Sequence, residues 1–378
     1  MPKEVGFFLM GYEGIEQFFA MMEKLNASDL HLKVGSPPIF RVAGKVRSLD
    51  SSPLTNDTIR TLIYAILSEE QRRRFERELD LDFAHSMTGV GRFRVNVYRQ
   101  RGSISVAARR VQTRIPSFEE LHLEADVMRK VASLRQGLVI VAGATNTGKS
   151  TTLAAIIDHI NETRRCHIVT IEDPIEYLHA DKKSFVNQRE VGIDVLNLKR
   201  ALKMVVRQNP DVILIGEMRD AETVQTALTA AETGHLVFGT LHASSAAQTL
   251  ERMIALFPPE RENQIRAGLR FNLRFVICQI LLPSIKEDIP LIPAQEILSI
   301  NATAQKLILE KQDEKLAELM RASQDEGMQT FNQALAKLVR NGYISEEVAS
   351  SHSSNPEQLR MLIKGIKLAD EKRILGNK

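Results

Sequence analysis

Eight residues, Gly143-Ala144-Thr145-Asn146-Thr147-Gly148-Lys149-Ser150, constrain this chain more than any other stretch. They fit G-x-x-x-x-G-K-[ST] and stand between an apolar run, Leu138-Val139-Ile140-Val141, and a helical pattern over 151–160 that opens with Thr151. Strand, glycine-rich loop and helix in that order present successive backbone N–H groups to a phosphate at the positive end of the helix. Lys149 then neutralises the β and γ phosphates of ATP, and the Ser150 hydroxyl ligates Mg²⁺. The bland alternative is a glycine-rich turn with a solvated lysine. The flanking strand and helix count against it.

The surroundings of the loop extend the pattern. Continuous apolar segments at 137–142, 167–171, 212–215 and 236–240 alternate with longer helical stretches. Strands apolar on both faces belong to parallel sheets covered by helices, so an α/β nucleotide-binding fold is expected here. The strand at 212–215 runs into Gly216-Glu217. A carboxylate at that point holds Mg²⁺ through water or polarises the attacking water, and only Glu217 is available. An N-cap or an ion pair with Arg219 is its alternative role, while Asp220 reads as the N-cap of the next helix. A second acidic group, Glu172-Asp173-Pro174-Ile175-Glu176, follows the strand at 167–171, where α/β sheets bind ligands and where one carboxylate can serve as a general base. His235 and His242 bound the strand at 236–240. Seven residues apart on a strand they face opposite sides, which makes them a poor metal pair. His242, at the C-terminal end, can sense the γ-phosphate or be an ordinary satisfied polar residue.

The length of 378 residues fits two domains. Charge is nearly balanced, 50 basic against 47 acidic residues, which is no footprint of a dedicated nucleic-acid binder. Two separated cysteines, Cys166 and Cys278, make neither a disulfide framework nor a zinc site. No apolar run reaches the roughly 18 residues of a membrane span, and MPKEVGFFLMGYEG has no signal-peptide pattern, so a cytoplasmic protein is expected. Ile15, Phe18, Phe19, Met22 and Leu25 recur at helical spacing as the packing face of a first helix. Strands are expected near 30–34, 39–42, 46, 81–84, 91–98 and 104–110, with turns at Pro37-Pro38 and Ala43-Gly44, and helices over 55–78 capped by Thr55. These describe a small α+β domain with an antiparallel sheet over 1–111. A linker at 112–120 separates it from the ATPase domain over 121–300, and a helical region follows over 301–378. In that last region Thr330-Phe331-Asn332-Gln333 starts a helix with a capping box and Gly342 stops it.

Taken together, GATNTGKSTT, TIEDPIEY, VNQREVG, RQNPDVILIGEMRDAET and AETGHLVFGTLHASSAAQT resemble the type IV pilus retraction ATPases of the PilT and PilU type. These belong to the secretion ATPase superfamily with the GspE-, PilB- and VirB11-like proteins. ASDLHL, GRFRVNVYRQR and GMQTFNQALAKLVRNG extend the resemblance over nearly the whole chain. It implies a PAS-like N-terminal domain and a RecA-like ATPase domain in a homo-hexamer. It also implies cytoplasmic work at the inner membrane on a PilC-like platform protein, possible company from a paralogous retraction ATPase, and no nucleic acid or zinc. By position it makes Glu176 the general base, Glu217 the Walker B glutamate, and His235 and His242 the histidine box. The family's N-terminal arginines reach phosphate across a subunit junction. Arg92, Arg94, Arg99, Arg109 and Arg110 are the candidates, and Arg92 and Arg94 share a strand face.

Two departures stand out. Asn146 occupies a position where the family usually has Gly or Ser, and it is expected to add a polar contact or to stiffen the loop. The family's Ala-Ile-Arg-Asn-Leu-Ile-Arg-Glu segment is matched by Thr303-Ala304-Gln305-Lys306-Leu307-Ile308-Leu309-Glu310, which lacks both arginines. An accessory, PilU-like role therefore stands beside independent retraction. An assembly or type II secretion ATPase would carry a four-cysteine zinc module and a longer N-terminal region. A nucleic-acid motor would show a basic patch or stacking aromatics, but Trp is absent and Tyr numbers five. A nucleotide-gated scaffold without turnover is disfavoured by Lys149, Glu176 and Glu217.

Overall fold

The computed structural model describes residues 14–42 and 44–366. Residues 1–13 of the segment read as lacking a signal peptide, Ala43 of the expected turn, and the tail past residue 366 lie outside the described residues. The chain divides into two compact units, Met1–Thr113 and Arg114–Lys378. No described helix is long and apolar enough to cross a membrane.

In the first unit α1 (Glu16–Lys24) leads into β1 (Ala27–Leu32), β2 (Ile39–Val42) and β3 (Lys45–Ser48). Helices α2 (Asn56–Ile66) and α3 (Glu69–Glu78) follow, then β4 (Asp80–Met87), β5 (Gly91–Gln100) and β6 (Ser103–Arg110). The described strands pair antiparallel in the order β3-β2-β1-β6-β5-β4. Period-two alternation on β5 buries Phe93, Val95 and Val97 and turns Arg92, Arg94 and Asn96 to the other face. Phe18, Phe19 and Met22 of α1 are buried, and Phe19 stacks on Phe93 with ring centroids 4.3 Å apart. Leu25 departs from the expected packing face. The helix ends at Lys24, and Leu25 is 45% exposed. Thr55 caps α2 by accepting from Thr58 N at 3.1 Å, and Ser68 and Gln71 cap α3 reciprocally.

The second unit runs α4 (Ala125–Ser133), β7 (Gly137–Ala142), α5 (Lys149–Thr163), β8 (His167–Glu172), β9 (Phe185–Glu190), α6 (Leu198–Val205), β10 (Val212–Ile215), α7 (Ala221–Glu232) and β11 (Leu236–Leu241). It continues with α8 (Ala246–Ala255), α9 (Glu262–Asn272), β12 (Leu273–Pro283), β13 (Leu291–Ser299), α10 (Ala302–Leu309), α11 (Leu316–Ala322), α12 (Phe331–Arg340), α13 (Glu346–Ser351) and α14 (Pro356–Ile363). The strand order is β13-β12-β7-β11-β10-β8-β9. All pairs are parallel except β12 with β13.

Successive residues of β7 feed two cores. Leu138 and Ile140 pack with apolar residues of α6 to α10, and Val139 and Val141 pack with those of α4 and α5. That is why this strand is apolar throughout. Phe238 on β11 is fully buried, and its truncation to Ala would cost about 3–5 kcal/mol. The outer part of the β12–β13 hairpin shares a smaller core with α12, α13 and α14 through Leu282, Ile292, Leu335 and Leu359. Thr330 and Gln333 form the expected capping box of α12. The helix ends at Arg340, and Gly342 follows at φ +67°.

Candidate active site

The loop between β7 and α5 is built on backbone conformations that few residues tolerate. Gly143 has φ +153° and Gly148 φ +83°. A Cβ on Gly143 would fall 2.5 Å from the Gln279 carbonyl oxygen and from Thr147 Oγ1, so a side chain is excluded there. Asn146 has φ +64°, the left-handed region that Asn enters more readily than most other non-glycine residues. A glycine would adopt this conformation freely, so Asn146 fits the loop's backbone at some cost in freedom. Gly148 caps α5 without a side-chain bond and the first turn holds no acid. The first-turn N–H groups are therefore left to an outside anion.

Loop residues Thr145, Asn146, Thr147, Gly148, Lys149, Ser150 and Thr151 line a cleft of about 900 Å³ with the C-terminal ends of β8, β10 and β11. Gly143 and Ala144 open the loop, and their carbonyls accept from Lys149 Nζ at 2.9 and 2.7 Å. Partial burial pulls the Lys149 pKa down, while Glu217 and Glu176 oppose that shift. Thr151 Oγ1 lies 2.9 Å from the Tyr177 hydroxyl.

Glu217 stands where β10 ends. Arg219 Nη2 donates to its Oε2 at 2.7 Å, and His242 Nε2 lies 3.2 Å from its Oε1. The Arg219 hydrogen bond holds the carboxyl below its usual range, His242 and Lys149 assist, and burial opposes them. The ion pair with Arg219, considered as an alternative to a catalytic role, is therefore present inside the cleft itself. Gly216, just before Glu217, is closely packed against the end of β8. A Cβ there would sit 3.2 Å from the Ile171 carbonyl oxygen and 3.3 Å from Glu172 Cα. Asp220 caps α7, accepting from Thr223 N at 2.9 Å.

Glu176 lines the cleft from the exposed end of the acidic segment. Glu172, a member of the acidic group not singled out within it from sequence, lines the cleft too, and its carboxyl is strongly perturbed. Burial pushes its carboxyl up to about 7, against hydrogen bonds from Thr170 Oγ1 at 2.6 Å and Gln188 Nε2 at 3.2 Å. The signal was its place as both the first residue of the acidic group and the last residue of a buried strand.

One expected residue of the second unit, His235, is not brought into this cleft. His235 precedes β11, at the opposite end from His242, with Nδ1 2.9 Å from the Ala230 carbonyl oxygen. Six strand residues separate the two histidines, roughly 20 Å of extended chain. A role in the same subunit's cleft is thus corrected for His235. Arg92 and Arg94 belong to the first unit, where Arg94 Nε lies 3.9 Å from Asp82 Oδ1.

The donor chemistry fits Mg²⁺. The Ser150 hydroxyl and the ionised Glu217 carboxylate are hard oxygen donors that both line the cleft, and magnesium takes one or two such groups together with substrate phosphates.

Fold and cleft together define a P-loop ATPase of the α/β class. A family model described as Type II/IV secretion system protein matches residues 15–351, and the chain belongs to that family. It is 43% identical over 343 residues to the type IV pilus retraction ATPase PilT of Pseudomonas aeruginosa, covering 91% of this chain and 99% of that protein. It is 41% identical over 349 residues to the type IV pilus ATPase PilU of the same organism, covering 92% and 91%. The crystal structure of the pilus retraction motor PilT with bound ADP superposes with a TM-score of 0.85 at 44% identity, over 92% of this chain and 99% of that one. The Legionella pneumophila ATPase DotB gives 0.74 at 27% identity, over 97% and 98%. Within its family the chain is an ATPase of the PilT/PilU type.

Proposed function

We propose that this ATPase is the subunit of a hexameric motor that retracts type IV pili. The observation that carries the reading is the end-to-end likeness to PilT in a chain whose own cleft gathers Lys149, Glu176, Glu217 and His242. In this reading the second unit is the RecA-like engine and the first a PAS-like domain. Arg92 and Arg94 act on phosphate across the subunit junction, and the ring works from the cytoplasm on a PilC-like platform protein at the inner membrane.

The hydrolytic steps follow from the side chains. First-turn N–H groups of α5 hold the β-phosphate, and Lys149 exchanges its two carbonyl partners for β- and γ-phosphate oxygens. Glu176 takes the proton from the water that attacks the γ-phosphorus, the bond to the β-phosphate oxygen breaks, and ADP and phosphate leave. Glu217 is held ionised and oriented by Arg219 and His242, which ties the phosphate end of the cleft to the ends of β10 and β11. Ser150 and Glu217 would hold magnesium, which when bound would supply charge neutralisation at the β and γ phosphates.

A second reading, an accessory PilU-like subunit working beside a paralogous motor, is favoured by α10. Gln305 and Leu309 stand where the family's arginines would, and Leu309 is exposed. Deletion of the gene separates the readings. Excess pili with lost twitching supports independent retraction, and normal retraction that fails only under load or without the paralogue supports the accessory role. Loss of pili refutes both.

A further inference from the structure

The phosphate loop rests on a residue outside every motif. Gln279 lies on β12, is 2% exposed, and follows Cys278, which pairs with Ala142 at the end of β7. The register therefore carries β12 alongside the first residue of the loop. Gln279 Nε2 donates to the Thr147 carbonyl at 2.7 Å. Its Oε1 accepts from the Thr152 hydroxyl at 2.9 Å and from Gln295 Nε2 at 2.9 Å. Gln295 is 3% exposed and sits directly opposite Gln279 in the β12–β13 pairing. The amide orientation follows from the partners, because a carbonyl only accepts, so the NH₂ must face Thr147.

Both loop glycines are seated against the same residue. A Cβ on Gly143 would meet the Gln279 carbonyl oxygen at 2.5 Å, and one on Gly148 would meet Gln279 Nε2 at 2.9 Å. The Thr147–Gly148 peptide is trans and planar, so its C=O and N–H point to opposite sides. Pinning the Thr147 oxygen into the buried side turns the Gly148 N–H to the other side, where a phosphate is expected.

We propose that Gln279 is a positioning residue for the nucleotide's β-phosphate. It fixes the Thr147–Gly148 peptide so that its N–H faces the anion, and Gln295 and Thr152 lock the amide that does so. The claim rests on the reading of this cleft as the nucleotide site and adds to it a phosphate-specific support from the β12–β13 hairpin. Without the amide the peptide can rotate, and its buried carbonyl loses a partner that water cannot easily replace.

The test compares ADP with AMP, which differ by the β-phosphate, as competitors of a fluorescent ADP analogue bound to the full chain with Mg²⁺. Gln279→Met keeps length and removes the amide. It is expected to lower the ADP-to-AMP affinity ratio about tenfold, chiefly through ADP. Thr152→Val keeps the bond to Thr147 and is expected to lower the ratio by no more than about threefold. General structural damage would weaken both nucleotides alike. A ratio at the unaltered value in Gln279→Met, whatever its melting temperature, overturns the proposal. If Gln279→Met does not fold, Gln295→Met decides in its place. A fall of about threefold supports the proposal, and an unchanged ratio overturns it. An unaltered chain that binds no ADP sinks the nucleotide-site reading itself, and the proposal with it. One that binds ADP while the variants keep its ratio sinks the proposal alone.

Discussion

His242 Nε2 stands 3.2 Å from Glu217 Oε1, joining the ends of two neighbouring parallel strands, β11 and β10. Arg219 occupies the other carboxylate oxygen, so Glu217 is fixed in position and in charge. Glu217→Gln keeps the shape and removes the charge. Turnover should fall by roughly 10²–10³ while nucleotide affinity stays within a few-fold, as read by a phosphate-release assay beside a binding titration. Turnover near the unaltered rate would remove Glu217 from the mechanism.

Lys149 is half-buried and bonds only to carbonyls of its own loop, so no core packing depends on it. Lys149→Ala should abolish hydrolysis and move the melting temperature by no more than about 2 °C. A large thermal loss would mean that the lysine holds the loop together rather than serving phosphate.

Glu172 carries a pH signature. Its carboxyl is pushed up to about 7 by burial, so the folded state binds more protons than the unfolded one between the ordinary carboxylate pKa and about 7. Stability therefore falls as pH rises through that window and levels off above it. Glu172→Gln removes the penalty. Its unfolding free energy, read from urea or thermal melts, should exceed that of the unaltered protein at pH 8 by on the order of 3 kcal/mol at most, and the gain should vanish at pH 4. A gain of equal size at both pH values would refute the assignment.

Arg266 and Asp313 form a buried pair, with side chains 8% and 7% exposed and two bonds of 3.0 and 2.8 Å. Arg266 Nη1 also donates to the Ile308 carbonyl at 2.9 Å, tying α9 to the end of α10. Asp313→Ala leaves the guanidinium with Glu262 Oε1, 2.9 Å from Nε, as its remaining acidic partner and should cost up to about 3–5 kcal/mol in urea unfolding, whereas the paired change Arg266→Met with Asp313→Leu should cost less than Asp313→Ala alone. A single-variant loss under about 1 kcal/mol would show that water replaces the partner.

Much of this architecture was legible in the residues. The strands at 137–142 and 212–215 were read with the bounds they have, because side chains buried on both faces leave an unbroken apolar run. The phosphate loop was legible from spacing alone, and Thr55, Asp220 and Thr330 from cap chemistry. The strands β9, β12 and β13 were not. β9 reads Phe-Val-Asn-Gln-Arg-Glu and lies at the sheet edge, where backbone pairing to β8 rather than an apolar pattern makes it a strand. In β12 and β13 the buried Gln279, Gln295 and Glu296 interrupt the apolar pattern, and their partners come from residues up to 171 positions away. Glu172 was hidden for a related reason. Its chemistry is set by burial beside Thr170 and Gln188, which no local spacing encodes.

The most direct test is a crystal structure of the chain with Mg²⁺ and a non-hydrolysable ATP analogue. The account predicts β and γ phosphates cradled by residues 143–150. Lys149 Nζ should have moved from the Gly143 and Ala144 carbonyls onto phosphate oxygens, with Glu217 facing the metal's water shell. A well-ordered analogue bound elsewhere, with Lys149 still on its two carbonyls, would contradict it.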